Sequence, residues 1–260
     1  MSDQKVVLVT GASSGIGEAA ALEFAKLGYK VAITGRNQER LSKVLQSLVS
    51  ESPGASASDF LALVADFEDQ EQVEPLVEQT VNKFGRLDVL VNNAGSSGKK
   101  RGLADADFFE DFQKILQVNL MAATRLAQLS SNHLKQTKGV IINVSSIADR
   151  LAMPSIAYSV SKAGLSMLTK TLANALDGTG VRVVTVAPGP IKTNFAQGIE
   201  KFGFISSLQR VGEALEVART IVFLSSDKAS YIHGCTIDVD GGTYGKFGGV
   251  FNQAKEVLEG

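Results

Sequence analysis

The stretch that decides how this chain is read is Lys5-Val-Val-Leu-Val-Thr10-Gly11-Ala12-Ser13-Ser14-Gly15-Ile16-Gly17. A short apolar, β-branched run stops at a turn with three glycines, and helical spacing takes over from Glu18 to Leu27. Glycine lets a ligand approach backbone closely, and a helix amino terminus offers free N–H groups with a partial positive charge. Strand, glycine turn and helix in that order therefore suit a pyrophosphate. The spacing is G-x-x-x-G-x-G rather than G-x-G-x-x-G, so the turn alone also permits a purely structural reading.

Outward from the turn the same rhythm repeats. Apolar runs at residues 30–34, 60–64, 87–91, 140–144, 181–186 and 235–239 bring the strands to seven, and helical spacing fills 39–49, 70–84, 108–133, 156–176 and 212–224. Runs apolar on both faces, separated by helices, are what a buried, mainly parallel sheet requires. No linker or low-complexity stretch interrupts the alternation, so residues 1–260 read as one doubly wound α/β domain with helices on both faces of a seven-stranded sheet. Two segments break the rhythm: residues 191–211, whose Phe195, Phe202, Phe204 and Ile205 suit either a mobile lid over a ligand or a surface loop, and a tail at 244–260.

Composition narrows the partners. With 44% hydrophobic and 20% charged residues and a net charge of −1, a core is expected and neither nucleic acid nor an anionic membrane is. The single cysteine, Cys235, makes no internal disulfide, the first residues lack a signal-peptide core, and the longest charge-free window, Val6 to Gly17, is too short to span a bilayer. A cytoplasmic setting is expected. Two isolated histidines and one cysteine make no metal-ligand set, so no metal is expected.

At the end of the second strand, where an acidic residue would bind an NAD ribose, the sequence reads Thr34-Gly35-Arg36-Asn37. No carboxylate repels a 2′-phosphate there, and the planar fork of Arg36 grips one, which favours NADP(H) over NAD(H); the plain alternative is a solvated arginine before a helix. Further on, Tyr158-Ser-Val-Ser-Lys162 puts a phenol and an ammonium on one helix face. A proton carrier near neutrality needs the tyrosine brought down from about 10 by roughly three units, or about 4 kcal/mol, and one ammonium at about 4 Å in an effective dielectric near 20 supplies energy of that order.

Other residues join these. Asn92-Asn93-Ala94-Gly95 follows the fourth strand, Asn119 sits within a helical stretch, Ser145-Ser146 closes the fifth strand, and Pro188-Gly189-Pro190-Ile191-Lys192-Thr193 and Val239-Asp240-Gly241-Gly242 follow later strands. With these five ordered motifs, from Thr10 to Gly242, the chain resembles the short-chain dehydrogenase/reductase family in its short form. The resemblance implies a Rossmann-type sheet with the dinucleotide across its carboxyl edge and hydride transfer between nicotinamide and an alcohol or carbonyl carbon. It implies a catalytic set of Asn119, a strand-end serine, Tyr158 and Lys162: the tyrosine as acid/base, the serine on the substrate oxygen, the lysine on the tyrosine and the ribose, the asparagine on a water in the proton path. By the same resemblance Gly11, Ser14, Gly15 and Ile16 meet the dinucleotide, Asp66 the adenine, and Asn92 and Gly95 a ribose, while Pro188, Ile191 and Thr193 flank the nicotinamide. Ser13, Gly17, Asn37, Ala94 and Gly189 complete the expected cofactor surface with Arg36. Relatives pair through helices near 105–133 and 155–176, so a homo-oligomer, tetramer or dimer, is expected.

Two departures stand out. The family's serine, usually the second of its pair, precedes the tyrosine by thirteen residues, the separation of Ser145, whereas the motif Asn-x-Ser-Ser points to Ser146. Asp149 stands where many relatives carry glycine, either shaping the substrate pocket or facing solvent. Competing readings are a hydrolase, since Gly11-Ala-Ser13-Ser-Gly15 also satisfies G-x-S-x-G but leaves only His133 and His233 as bases, and a cofactor-binding sensor that does not turn over. Lys99, Lys100 and Arg101 either greet an anionic substrate or form a solvated face. The expected substrate is a small carbonyl or alcohol.

Overall fold

The computed structural model describes residues 4–98, 102–194 and 198–246. Seven strands form one sheet: β1 (Val6–Thr10), β2 (Lys30–Gly35), β3 (Phe60–Val64), β4 (Val89–Asn92), β5 (Val140–Val144), β6 (Arg182–Pro188) and β9 (Thr236–Val239). Their order is β3-β2-β1-β4-β5-β6-β9, and every neighbouring pair is parallel. The helices are α1 (Gly15–Lys26), α2 (Gln38–Glu51), α3 (Gln70–Val73), α4 (Leu76–Phe84), α5 (Phe108–Leu116), α6 (Ala122–Thr137), α7 (Ile156–Ala175) and α8 (Ala214–Ser225). None of them is long and apolar enough to cross a membrane.

The alternation along each strand explains the two-sided core. Val7 and Val9 of β1 pack with Phe24 of α1, Leu41 of α2 and Ile221 of α8, while Val6 and Leu8 pack on the other face with Leu76 of α4, Leu126 of α6 and Ala173 of α7. Full burial of a side chain such as Phe24 is worth about 2–3 kcal/mol, so each face is held by many such increments.

Three details differ from the sequence expectation. The helical stretch at 70–84 is two helices, because Pro75 lacks an N–H and the chain re-enters the helix at Leu76. The helix from 108 passes through a π-helical turn, Gln117–Met121, where the Ala122 N–H reaches back to the Gln117 carbonyl, and it runs on to Thr137. The irregular segment at 191–211 has structure of its own: β7 (Ile191–Lys192) pairs with β8 (Gly212–Glu213), enclosing a 3-10 helix, Ile199–Ile205. Of the residues that drew attention to it, Phe204 is exposed and Phe195 lies outside the described residues, as do Lys99 to Arg101 and the tail from Phe247 onward.

Candidate active site

The strand order reverses between β1 and β4, so their successors leave in opposite directions and a crevice opens at the carboxyl edge between them. The glycine turn, Asn92 to Gly95, the serine pair and the segment from Pro188 all emerge there. Gly11 and Gly15 have φ of 63° and 65°, conformations that cost little only for glycine. A Cβ on Gly11 would lie 2.7 Å from Ala94 Cα, and one on Gly17 2.6 Å from the Gly11 carbonyl oxygen, so the turn packs backbone on backbone. The Asn93 amide locks this packing by donating to the carbonyls of Thr10 (2.8 Å) and Gly11 (3.1 Å). Thr10 Oγ1 accepts from the N–H groups of Asn93 and Ala94, both at 2.9 Å.

The side chain of Asn92, the residue expected at a ribose, is turned into the core. It is 3% exposed and donates its amide to Asn143 Oδ1 at 2.9 Å. The physical reason is strand alternation: Asn92 shares the face of Leu90, which packs beneath the helices, and Asn93 is the residue that reaches the turn. Period two applied to β4 would have separated them in the sequence.

The turn fits an anion. Ser14 at the N-cap of α1 makes no side-chain cap hydrogen bond, whereas Asn37 caps α2 by accepting from the Arg40 N–H at 2.8 Å; the cap position of α1 is thus left open to a ligand, with the Gly15 N–H held by the Glu18 carboxylate. Thr193 closes over the turn, its Cγ2 3.2 Å from where a Cβ on Gly15 would stand. Arg36 is exposed at the end of β2, pairs with no acid among the described residues, and follows Gly35, where a Cβ would lie 3.3 Å from Ser13. Asp66 accepts from the Glu68 N–H at 3.0 Å. Ile191 and Pro188 are buried, and Gly189 packs against Asp240, whose Cα would be 2.7 Å from an added Cβ.

On the β5 side, Ser155 caps α7 by accepting from the Tyr158 N–H, which aligns Tyr158, Lys162 and Ser166 along one helical face. Lys162 is 4% exposed and donates from Nζ to the Val144 carbonyl at 2.8 Å. A Cβ on Gly95 would lie 3.5 Å from both Lys162 Nζ and Asn119 Oδ1, which brings the β4 end into the same cluster. Asn119, within the π turn, is clamped onto Ser96: Oδ1 accepts from the Ser96 N–H at 2.7 Å, and Nδ2 donates to the Ser96 carbonyl and to Ser161 Oγ, both at 2.9 Å. The two serines part company. Ser146 hydrogen-bonds the Tyr158 side chain and accepts from the Ala148 N–H at 3.1 Å, while Ser145 is buried and donates to the Lys162 carbonyl at 3.0 Å.

Electrostatics correct one expectation. Burial pushes the Tyr158 phenol above its ordinary value, the Ser146 hydrogen bond pulls it back, and the Asp149 carboxylate adds to the rise. Lys162 stands 5.8 Å from the Tyr158 ring centroid and is itself pushed down to about 8 by burial, with Asp149 acting in the opposite sense. Desolvation of the phenol therefore works against the pull of the ammonium, a cost that charge and distance alone leave out.

The rival nucleophile, Ser13, has no hydrogen-bonded base among the described residues, and the histidine at the β6 end lies away from it. His233 accepts from the Val183 N–H at 3.0 Å through Nδ1, at the amino-terminal end of β6 and so at the sheet edge opposite Ser13. A cavity of about 570 Å³ at that opposite edge is lined by Lys5, Asp88, Arg182, Asp227 and His233, among which Lys5 pairs with Asp227, Asp88 with Arg86, and Arg182 donates to the Leu224 carbonyl.

Comparisons with known proteins agree with this geometry. The family model described as enoyl-(acyl carrier protein) reductase matches residues 11–244. A 3-oxoacyl-[acyl-carrier-protein] reductase FabG of Thermotoga maritima is 38% identical over 245 residues, covering 92% of this chain and 97% of that protein. Among solved structures, a 3-ketoacyl-(acyl-carrier-protein) reductase from Brucella melitensis complexed with NADH superposes with a TM-score of 0.83 at 33% identity, covering 92% and 98% of the two chains. YwfH, an NADPH dependent reductase involved in bacilysin biosynthesis, superposes with 0.85 at 28% identity, covering 93% and 98%. Fold, motif order and relatives together make this chain a member of the short-chain dehydrogenase/reductase family.

Proposed function

We propose that this protein is an NADP(H)-dependent oxidoreductase that moves a hydride between the nicotinamide and a ketone or secondary-alcohol carbon, with Tyr158 as acid/base. The observation that carries the reading is the Ser146–Tyr158 hydrogen bond with Lys162 one helical turn away, set beside a glycine turn that packs backbone on backbone. When bound, the nicotinamide supplies the hydride chemistry. The chain's own work is to bind, orient and move a proton. The glycine turn and the start of α1 hold the pyrophosphate, and Arg36 holds a 2′-phosphate where β2 ends without a carboxylate. Tyr158 Oη passes its proton to the substrate oxygen in reduction and recovers it in oxidation, and Ser146 Oγ steadies the same oxygen. Ser145 is spent on the Lys162 carbonyl, which leaves Ser146 as the acting serine. Asn119 holds the Ser96 backbone and, through it, the strand end beside Lys162.

Reduction is the favoured direction, in keeping with the reductase names of the relatives, and 3-oxoacyl thioesters head the ketones to try. The chain does this work as a single domain. Phe109, Met121, Val160 and Met167, exposed on α5, the π turn and α7, supply the apolar surface for self-association. The test is a panel of ketones and alcohols followed at the NADPH absorbance band, with calorimetric titration of NADPH and NADH. Turnover of a ketone with tighter NADPH binding is expected. NADPH binding without turnover of any panel member would overturn the oxidoreductase reading.

A further inference from the structure

Asp149 ends the single 3-10 turn, Ile147–Asp149, that follows Ser146. Its side chain is 1% exposed, and both oxygens are engaged: Oδ2 accepts from Ser166 Oγ at 2.5 Å and Oδ1 from Arg150 Nε at 2.8 Å. Ser166 lies one turn beyond Lys162 on α7 and stands 3.0 Å from Ser145 Oγ, so the carboxylate is tied to the helix that carries Tyr158. Arg150 forks onto Asp238 of β9, and its guanidinium carbon lies 4.3 Å from the Tyr244 ring centroid. A buried carboxylate is expensive unless paired and hydrogen-bonded, as Asp149 is here.

We propose that Asp149 is a positioning residue: held by Ser166 and Arg150, it pins the Ser146 turn to α7 and places a negative charge behind the Tyr158–Lys162 pair that sets the pH window of proton transfer. The inference rests on Tyr158 acting as acid/base. The charged and titratable groups around Asp149 are Arg150 on its own turn, Asp238 on β9, Tyr244 at the C-terminal turn, and Tyr158 and Lys162 on α7. Two carboxylates face one guanidinium, so the cluster carries a net negative charge. Its sign opposes deprotonation of both the phenol and the ammonium, consistent with the upward pull of Asp149 on each.

Asp149→Asn keeps the shape and removes the charge, and the Arg150–Asp238 pair that remains is neutral. Both limbs of the pH profile of kcat/KM should then move to lower pH by roughly 0.5 to 1, the size of one partly compensated charge felt across about 10 Å. Arg150→Gln leaves both carboxylates uncompensated and should move the limbs to higher pH, so the proposal remains testable if the first variant does not fold. A phenolate absorbance titration of the same proteins, with Tyr158→Phe assigning the signal, reads the shift without turnover. Limbs and titration unmoved in either folded variant, or moved the same way by both, overturn the proposal, whereas a merely structural Asp149 would lower the height of the profile in place. Undiminished turnover in Tyr158→Phe would instead overturn the acid/base reading, and the phenolate titration would still report on Asp149.

Discussion

Replacing Lys162 with methionine should make the protein more stable at neutral pH while abolishing its proposed activity, and the size of the effect follows from burial. Lys162 is pushed from 10.5 down to about 8 because its ammonium is desolvated. The unfolded chain therefore binds this proton more tightly than the folded one, and folding is penalised wherever the lysine is charged. The penalty is about 3 kcal/mol at pH 7 and falls to about 1 kcal/mol at pH 10, so stability recovers as pH rises from about 8 toward 10.5. Methionine removes that penalty but strands the Val144 carbonyl, which Lys162 Nζ reaches at 2.8 Å; the loss is about 1 kcal/mol and independent of pH. The variant should exceed the unmodified protein by about 2 kcal/mol in urea unfolding at pH 7, and the gap should close to near zero by pH 10 at the same protein concentration. A gap that stays constant across this range would refute the assignment of the cost to a buried ammonium.

Three further perturbations test other parts of the site. Arg36→Asp should reverse coenzyme preference, weakening NADPH at least tenfold relative to NADH in calorimetric titration, since a guanidinium that grips a 2′-phosphate gives way to a charge that repels it; an unchanged ratio contradicts the role given to Arg36. Ser146→Ala should cut kcat by about 10²-fold or more while Ser145→Ala, which loses its bonds to the Lys162 carbonyl and to Ser166 Oγ, keeps most of the turnover but loses about 1 kcal/mol of stability. Equal losses in the two would show that the hydroxyls are not divided as described. Gly17→Ala forces a Cβ to within 2.6 Å of the Gly11 carbonyl oxygen, so it should cost about 1–3 kcal/mol in thermal unfolding and weaken coenzyme binding together; a stable variant with intact binding would mean that the close packing is not needed.

The sheet was legible because its strands are apolar on both faces, which leaves little else for runs such as Val140–Val144 to be. Tyr158, Lys162 and the serine pair were legible through ordered motifs, but their partners were not. Choosing Ser146 over Ser145 turns on which hydroxyl meets the Lys162 carbonyl, a contact between a strand end and a helix that spacing along the chain does not encode. The part Asn93 plays in locking the glycine turn shows in the alternation of β4 and not in the motif taken as a string. The π turn at Asn119 has no propensity signature, and the Asp149–Ser166–Arg150 cluster joins three elements whose meeting is a property of the fold alone. The pairing of β7 with β8 escaped notice because two-residue strands leave no periodicity to find.

Tyr158→Phe tests the central claim most directly, because it removes one oxygen and leaves the ring, the helix and the coenzyme turn in place. NADPH binding measured by calorimetry should stay within about threefold of the unmodified protein, while ketone-dependent NADPH oxidation falls by about 10²- to 10⁴-fold, the usual contribution of a positioned general acid. Turnover within about tenfold of the unmodified protein, with binding intact, would mean that the proton comes from another group.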